Sequence, residues 1–139
     1  MRHESSYRVT LRVIHDDIAA ADIEGAVGFP VRQSQSAGLP RRTKSGKELG
    51  GCYARTSVGF LLHKDPLRFD ETPIEDFIKS ALQKLRTKEF LKLSEYSCTI
   101  RMLIGVFSDE NVMFDLDIES IQVLSELGIG VRYDFYGGD

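Results

Sequence analysis

The sequence predicts an α+β fold: a single antiparallel or mixed sheet of five to six strands, with helices packed on one face. Several segments alternate apolar and polar residues with the period of a half-buried strand, and others repeat apolar residues with the period of a helix. The chain has 139 residues, of which 42% are hydrophobic and 28% charged, as is typical of globular proteins. This length suits one core, so we assign residues 1–139 to one domain.

The first third of the chain reads as a strand, a helix and a loop. Residues 7–14 alternate, while residues 1–6 show no pattern and are expected to be frayed. Asp16 or Asp17 is expected to cap a helix over residues 19–27, which Gly28 and Pro30 would end. Residues 32–51 are polar and glycine-rich and predict a long basic loop with room for a short edge strand.

The middle of the chain predicts a strand over residues 52–62 and then the best-marked helix. Thr72-Pro73-Ile74-Glu75 has the pattern of a capping box. An apolar stripe with helical spacing follows: Ile74, Phe77, Ile78, Ala81, Leu82 and Leu85. A short second helix is expected after Thr87.

The last third predicts a strand over residues 98–106 and a returning strand over 112–116, joined as a hairpin by the turn residues 108–111. Asp117 is expected to cap a helix over residues 118–127, and Gly128 to end it. Residues 129–136 alternate again and predict the last strand.

Composition and motifs exclude several classes of protein. The net charge of −3 and the pI of about 5.6 disfavour binding to nucleic acid, and no apolar run is long enough for a membrane span or a secretory signal. Cys52 and Cys98 form no metal-ligand spacing and predict buried thiols in a reducing compartment, the cytoplasm. No phosphate-binding glycine loop or nucleophile motif is present, so we expect neither a cofactor nor a metal and assign no catalytic residue.

Strand alternation predicts the most distinctive surface of the molecule. If the apolar residues of every strand face the helices, the other parity gathers arginines and tyrosines on the opposite side of the sheet. Arginine binds carboxylates and phosphates in a forked geometry, and tyrosine is common at interfaces. The predicted partner-binding residues of this face are Arg8, Arg12, Tyr53, Arg55, Arg101, Arg132, Asp134 and Tyr136. A solvated face without a partner, and a face packed on a second copy, are the alternatives.

Two other groups of residues are candidates. Arg41 and Arg42, followed by Lys44 and Lys47, give the predicted loop a basic character that suits an acidic partner or phosphates. His15, Asp16, Asp17 and His63 would suit a small metal-dependent or acid–base enzyme if the two histidines met in space.

Both ends of the chain resemble one family. Residues 7–30, YRVTLRVIHDDIAAADIEGAVGFP, resemble the opening strand and helix of the domain of unknown function 4279 family, which is mostly bacterial. Residues 114–136, FDLDIESIQVLSELGIGVRYDFY, resemble its closing helix and strand. The resemblance implies a small α+β domain and supplies no catalytic residues. The family usually carries a tryptophan in its middle strand, where this chain has Tyr53.

The sequence therefore predicts a non-catalytic binding protein of the bacterial cytoplasm. We expect it to engage a protein partner through the arginine–tyrosine face, the basic loop, or both. By analogy with other small bacterial families, a toxin-neutralising immunity protein is one such role. A small enzyme and a nucleic-acid-binding module are the alternatives.

Overall fold

The computed structural model describes residues 5–137, which form a mixed sheet, a separate small hairpin and four helices. The strands of the main sheet are β1 (Ser6–His15), β2 (Val31–Gln35), β5 (Thr56–Leu61), β6 (Leu67–Arg68), β7 (Thr99–Phe107) and β8 (Ile129–Tyr136). The hairpin consists of β3 (Pro40–Arg42) and β4 (Glu48–Cys52). The helices are α1 (Ala20–Val27), α2 (Ile74–Leu85), α3 (Lys88–Glu95) and α4 (Ile118–Leu127).

The main sheet has the order β2-β5-β1-β7-β8, with β6 paired to the start of β1. β1 is antiparallel to β5 and β7, whereas β7 and β8 are parallel, so the sheet is mixed. The predicted α+β class is confirmed.

The core lies between the sheet and the four helices. Alternate residues of the central strands, among them Tyr7, Leu11 and Met102, are fully buried on the helix side. The predicted stripe of α2 packs onto them, because Ile74, Ile78, Ala81, Leu82 and Leu85 are all buried. All four helices thus cover one side of the sheet and leave the other side to solvent.

The predicted hairpin after β7 is wrong. Residues 108–117 contain no strand, and the chain returns through α4 to place β8 parallel to β7. Parallel neighbours require a crossover, and α4 supplies it by burying Leu124 and Leu127 against the sheet. The turn residues at 108–111 begin this crossover instead of closing a tight turn.

The predictions for residues 32–62 need two corrections. The stretch 32–51 is not one loop, because it contains most of the edge strand β2 and nearly all of the β3–β4 hairpin. The single strand expected over 52–62 is broken, since residues 53–55 form a bend between β4 and β5. Gly50 and Gly51 adopt φ values of 81° and 71° just before this bend, a left-handed conformation that turns β4 away from the main sheet.

The observed helix caps agree only in part with the caps predicted from the sequence. Asp117 accepts a hydrogen bond from the Ser120 N–H at 2.8 Å, as predicted, and Gly128 ends α4 with φ 71°. Neither Asp16 nor Asp17 caps α1; the Ser36 hydroxyl, from beyond β2, accepts the Ala20 N–H instead.

The predicted capping box of α2 is also wrong, because Pro73 occupies the N-cap position and no side chain caps the helix. Among residues 5–137, no helix is long and apolar enough to cross a membrane. Most of the N-terminal stretch expected to be frayed lies outside the described residues, but Ser6 is already part of β1.

Candidate binding face

The side of the main sheet away from the helices, called here the open face, carries most of the predicted arginines. Strand register places Arg8 and Arg12 of β1, Arg101 of β7 and Arg132 of β8 on this side, because each has the parity opposite to its buried neighbours. Asp134 and Tyr136 lie on it as well, next to Gly105 and Phe107 of β7. Six of the eight residues predicted for this face are therefore together.

The centre of the open face is a pair of like charges. Arg12 and Arg101 are direct register partners across β1 and β7, and both are exposed. No carboxylate among residues 5–137 forms an ion pair with either of them. Like charges directly opposite each other on two strands destabilise the folded state. Residues 5–137 supply no ion pair that would offset this cost.

Arg8 lies four residues before Arg12 on the same side of β1 and is half-buried. Its Nε is fully covered yet has no hydrogen-bond acceptor within the described residues. A covered N–H without an acceptor costs about 1–3 kcal/mol, so this group is a second destabilising feature of the open face.

Glycines lie beside these arginines. Gly59 of β5 is the register partner of Arg12, Gly130 of β8 is that of Arg101, and Gly105 of β7 is that of Arg8. None of the three has a positive φ, so the backbone conformation does not demand glycine. Glycine inside a strand often marks a place where a ligand or another backbone approaches closely. Here it leaves room beside each guanidinium group.

Two stacked rings lie at one end of the open face. Phe107 and Tyr136 are register partners whose rings lie 4.9 Å apart at an interplanar angle of 10°. The Tyr136 hydroxyl donates to Asp134 Oδ2 at 2.9 Å, and this hydrogen bond raises the pKa of the tyrosine hydroxyl. Asp134 is thereby held in a fixed position on a face that is otherwise cationic.

Tyr53 and Arg55 do not belong to the open face, although the sequence placed them there. Both lie in the bend between β4 and β5. The Arg55 Nε is 3.5 Å from Asp16 Oδ1, whereas the Tyr53 hydroxyl contacts the backbone of Arg42 at 3.3 Å. The prediction failed because it extended the parity of β5 backwards through residues where the strand had not begun.

The basic residues Arg41 and Arg42 are exposed on the β3–β4 hairpin. Arg42 is partly neutralised by Glu48, with 3.6 Å between Nη2 and Oε1. A shallow cleft of about 880 Å³ separates this hairpin from β2; Gln33, Gln35, Leu39, Arg42, Lys44 and Tyr53 are among its lining residues. Gln33 and Gln35 also border the open face, where they pair with Gly59 and Ser57.

The residues of the possible metal or acid–base site do not converge. His15 lies beside Thr56 at the start of β5, whereas His63 follows the end of the same strand, roughly 20 Å away at the usual rise per residue. Both ring nitrogens of His15 are engaged: Nδ1 accepts from the Asp17 and Ile18 N–H groups, and Nε2 donates to the Tyr96 carbonyl. Among residues 5–137, no group of three or more His, Cys, Asp or Glu side chains is arranged to hold a metal ion.

The two cysteines differ from each other. Cys98 is half-buried next to β7, and burial raises the pKa of its thiol. Cys52 is exposed at the end of β4, so the prediction of a buried thiol is wrong there. The cause is again the break in the expected 52–62 strand, which leaves Cys52 on the outer hairpin.

Comparison of the chain with models of protein families, with curated proteins and with solved structures gives no match. The resemblance to the domain of unknown function 4279 family therefore stays a prediction.

Proposed function

We propose that this protein is a non-catalytic binding protein that captures an acidic protein partner on the open face of its sheet. The observation that supports this most directly is the Arg12–Arg101 pair, two exposed guanidinium groups in direct register with no carboxylate partner among residues 5–137. An acidic side chain from a partner would bind both arginines at once and remove their repulsion. Such forked, charge-assisted hydrogen bonds are the strong polar contacts of interfaces.

Three further features agree with a protein partner. The covered Nε of Arg8 has no acceptor in the described part of the chain, the glycines beside the arginines leave the backbone approachable, and the Phe107–Tyr136 stack offers apolar area. Arginine and tyrosine are the residues that most often dominate interface energies. Neutralisation of a toxin by an immunity protein is one function of this kind, and it belongs to the proposal as a hypothesis.

A protein partner suits the charge of the whole chain better than a nucleic acid does. The chain carries 21 acidic against 18 basic residues, so a long polyanion would meet repulsion beyond the open face. A partner with a local acidic patch would meet only the arginines. The β3–β4 hairpin lies across the cleft from Gln33 and Gln35 and would extend the contact to Arg41 and Arg42.

The test compares two double variants that lose the same charge. Arg12→Ala with Arg101→Ala removes the central pair, whereas Lys84→Ala with Lys88→Ala removes two exposed cations from the helix side. A poly-L-glutamate peptide no longer than the open face is the probe, and single-stranded DNA of equal charge is the competing probe, both followed by fluorescence anisotropy. We expect the arginine variant to bind poly-L-glutamate at least about tenfold more weakly and the lysine variant to bind it as the wild type does.

Equal weakening in both variants would show that only net charge matters and would contradict the proposal. Tighter binding of the DNA, with a steep dependence on salt, would favour a nucleic-acid-binding module instead. A third variant, Arg41→Ala with Arg42→Ala, measures how much the hairpin contributes to the same contact.

A further inference from the structure

The two edges of the main sheet are protected very differently. β2, at one edge, follows Pro30 and has an irregular register between Val31 and Gln33, two devices that prevent further strand pairing. β8, at the other edge, pairs with β7 in unbroken register from Ile129 to Tyr136 and contains no proline. Among residues 5–137, no strand pairs with its outer side.

β8 also exposes apolar side chains at this edge. Tyr133 and Phe135, on the helix side, are 43% and 65% exposed, and their rings stack at 6.4 Å. Tyr133 packs on Phe114 of the crossover, while Phe135 makes no other ring contact among the described residues. An unpaired strand edge that carries exposed rings is a template for another strand.

The sequence of β8 is complementary to itself. If two copies pair antiparallel with Tyr133 opposite Tyr133 of the partner subunit, Arg132 lies opposite Asp134 of the partner subunit, and the reverse holds by symmetry. Both residues are on the open face, so each cross-strand neighbour is an opposite charge. On the helix side, Val131 then lies opposite Phe135 of the partner subunit.

The free backbone N–H and C=O groups of β8 are placed as this register requires. The Tyr136 carbonyl accepts from the Ser108 N–H on the β7 side, so the even-numbered residues of β8 direct their peptide groups inwards. The odd-numbered residues, Tyr133 included, direct theirs to the free edge. Tyr133 would therefore form a hydrogen-bonded pair, and Arg132 and Asp134 the non-hydrogen-bonded pairs, whose Cα atoms approach to about 4.5 Å.

We propose that β8 is a dimerisation edge, at which a second copy of this chain pairs antiparallel about Tyr133 and joins the two sheets into one. The Arg132–Asp134 ion pairs between subunits fix the register. They also give Arg132 an ion-pair partner, which residues 5–137 of its own subunit do not supply, and the two open faces become one continuous surface. This inference is independent of the proposed function, since Arg12 on β1 and Arg101 on β7 both lie inside the sheet and neither belongs to the outer edge of β8.

A charge swap tests the register. Sedimentation velocity across the micromolar range is expected to give the wild type a mass twice the 15.7 kDa of one chain. Each single variant, Arg132→Asp or Asp134→Arg, creates two pairs of like charges across the contact. Each is expected to weaken dimerisation at least about tenfold. The double variant Arg132→Asp with Asp134→Arg restores opposite charges and is expected to restore the dimer.

A cross-link provides a second measurement. Both cross-linking variants carry Cys52→Ser. In Tyr133→Cys the new cysteine lies opposite its own copy in the partner subunit, so we expect a disulfide-linked dimer with diamide as oxidant. In the control Phe135→Cys the new cysteine lies opposite Val131 of the partner subunit, so we expect no disulfide. A wild type that stays monomeric overturns the proposal. So do dimers that survive both single swaps, or a cross-link that forms equally at position 135. Arg12→Ala with Arg101→Ala is expected to remain dimeric, which separates this test from that of the proposed function.

Discussion

At the residue scale, single polar side chains join elements that are far apart in the chain. The Tyr7 hydroxyl, from β1, donates to the Thr72 carbonyl ahead of α2 at 2.8 Å, while its ring packs against Phe69 and Phe77. Burial raises the pKa of Tyr7 to about 12, because the phenolate would lose its hydration. Residues of this kind combine core packing with one satisfied hydrogen bond.

Asp117 is a charged residue that stabilises the fold through two contacts. It caps α4 and also lies 2.6 Å from the Lys79 Nζ of α2. This hydrogen bond with Lys79, together with the Ser120 N–H, lowers the pKa of Asp117 from 3.8 to about 2. The folded carboxyl therefore releases its proton more readily than the unfolded one, and its charge stabilises the fold above pH 4.

Asp117→Asn keeps an oxygen that can accept the Ser120 N–H and removes the charge. We expect the variant to melt at a lower temperature than the wild type at pH 7. The difference should shrink as pH falls from about 4 to about 2, where the wild-type carboxylate becomes protonated. Thermal melts across this range, with an NMR titration of the carboxyl, measure both effects; a difference that is constant with pH would contradict the assignment.

At the element scale, one threonine ties three elements together. Thr56 begins β5 and is fully buried. Its hydroxyl donates to the Ile18 carbonyl before α1 and accepts the Ala37 N–H after β2 at 2.9 Å. This single side chain therefore joins the segment before α1 and the segment after β2 to the start of β5.

Thr56→Val preserves the shape of the side chain but leaves both backbone groups without partners. We expect it to lower the free energy of unfolding by about 2–4 kcal/mol, whereas the control Thr56→Ser, which keeps the hydroxyl, should cost about 1 kcal/mol. Urea denaturation measures both. Equal losses in the two variants would show that the methyl group, and not the hydroxyl, is what matters.

Most elements could be predicted from periodicity, but their connections could not. The parity of β1, β7 and β8 and the stripe of α2 follow from local alternation of apolar residues, which is a property of the sequence itself. The parallel pairing of β8 depends on where α4 packs, and the cap of α1 comes from Ser36, which is 16 residues away. Interactions of this range leave no local pattern.

For the open face, the alternation of apolar and polar residues predicts the arginines but does not single out the glycines. Strand parity predicts the side of the sheet for Arg8, Arg12, Arg101 and Arg132. It fails for Arg55, because β5 begins only at Thr56, whose contacts with other segments the alternation does not reveal. Gly59, Gly105 and Gly130 carried a usable signal: each interrupts an otherwise well-formed strand at a position of the exposed parity.

At the scale of the whole molecule, stability and binding make opposite demands on the open face. Four helices cover one side of the sheet. The other side carries the repulsive Arg12–Arg101 pair and the covered Arg8 N–H, which has no acceptor among residues 5–137. It also carries glycines where larger residues would strengthen the strands. Proteins commonly keep such destabilising features where function requires them. We propose that Arg12 and Arg101 are kept for binding at the expense of stability.

Arg12→Glu tests this claim most directly, because it replaces the repulsion between Arg12 and Arg101 with an attraction across the same register pair. We expect the variant to gain about 0.2–1 kcal/mol in free energy of unfolding by urea denaturation and, in the same preparation, to lose binding to poly-L-glutamate. A variant that is less stable than the wild type, or one that is more stable and still binds with wild-type affinity, would contradict it.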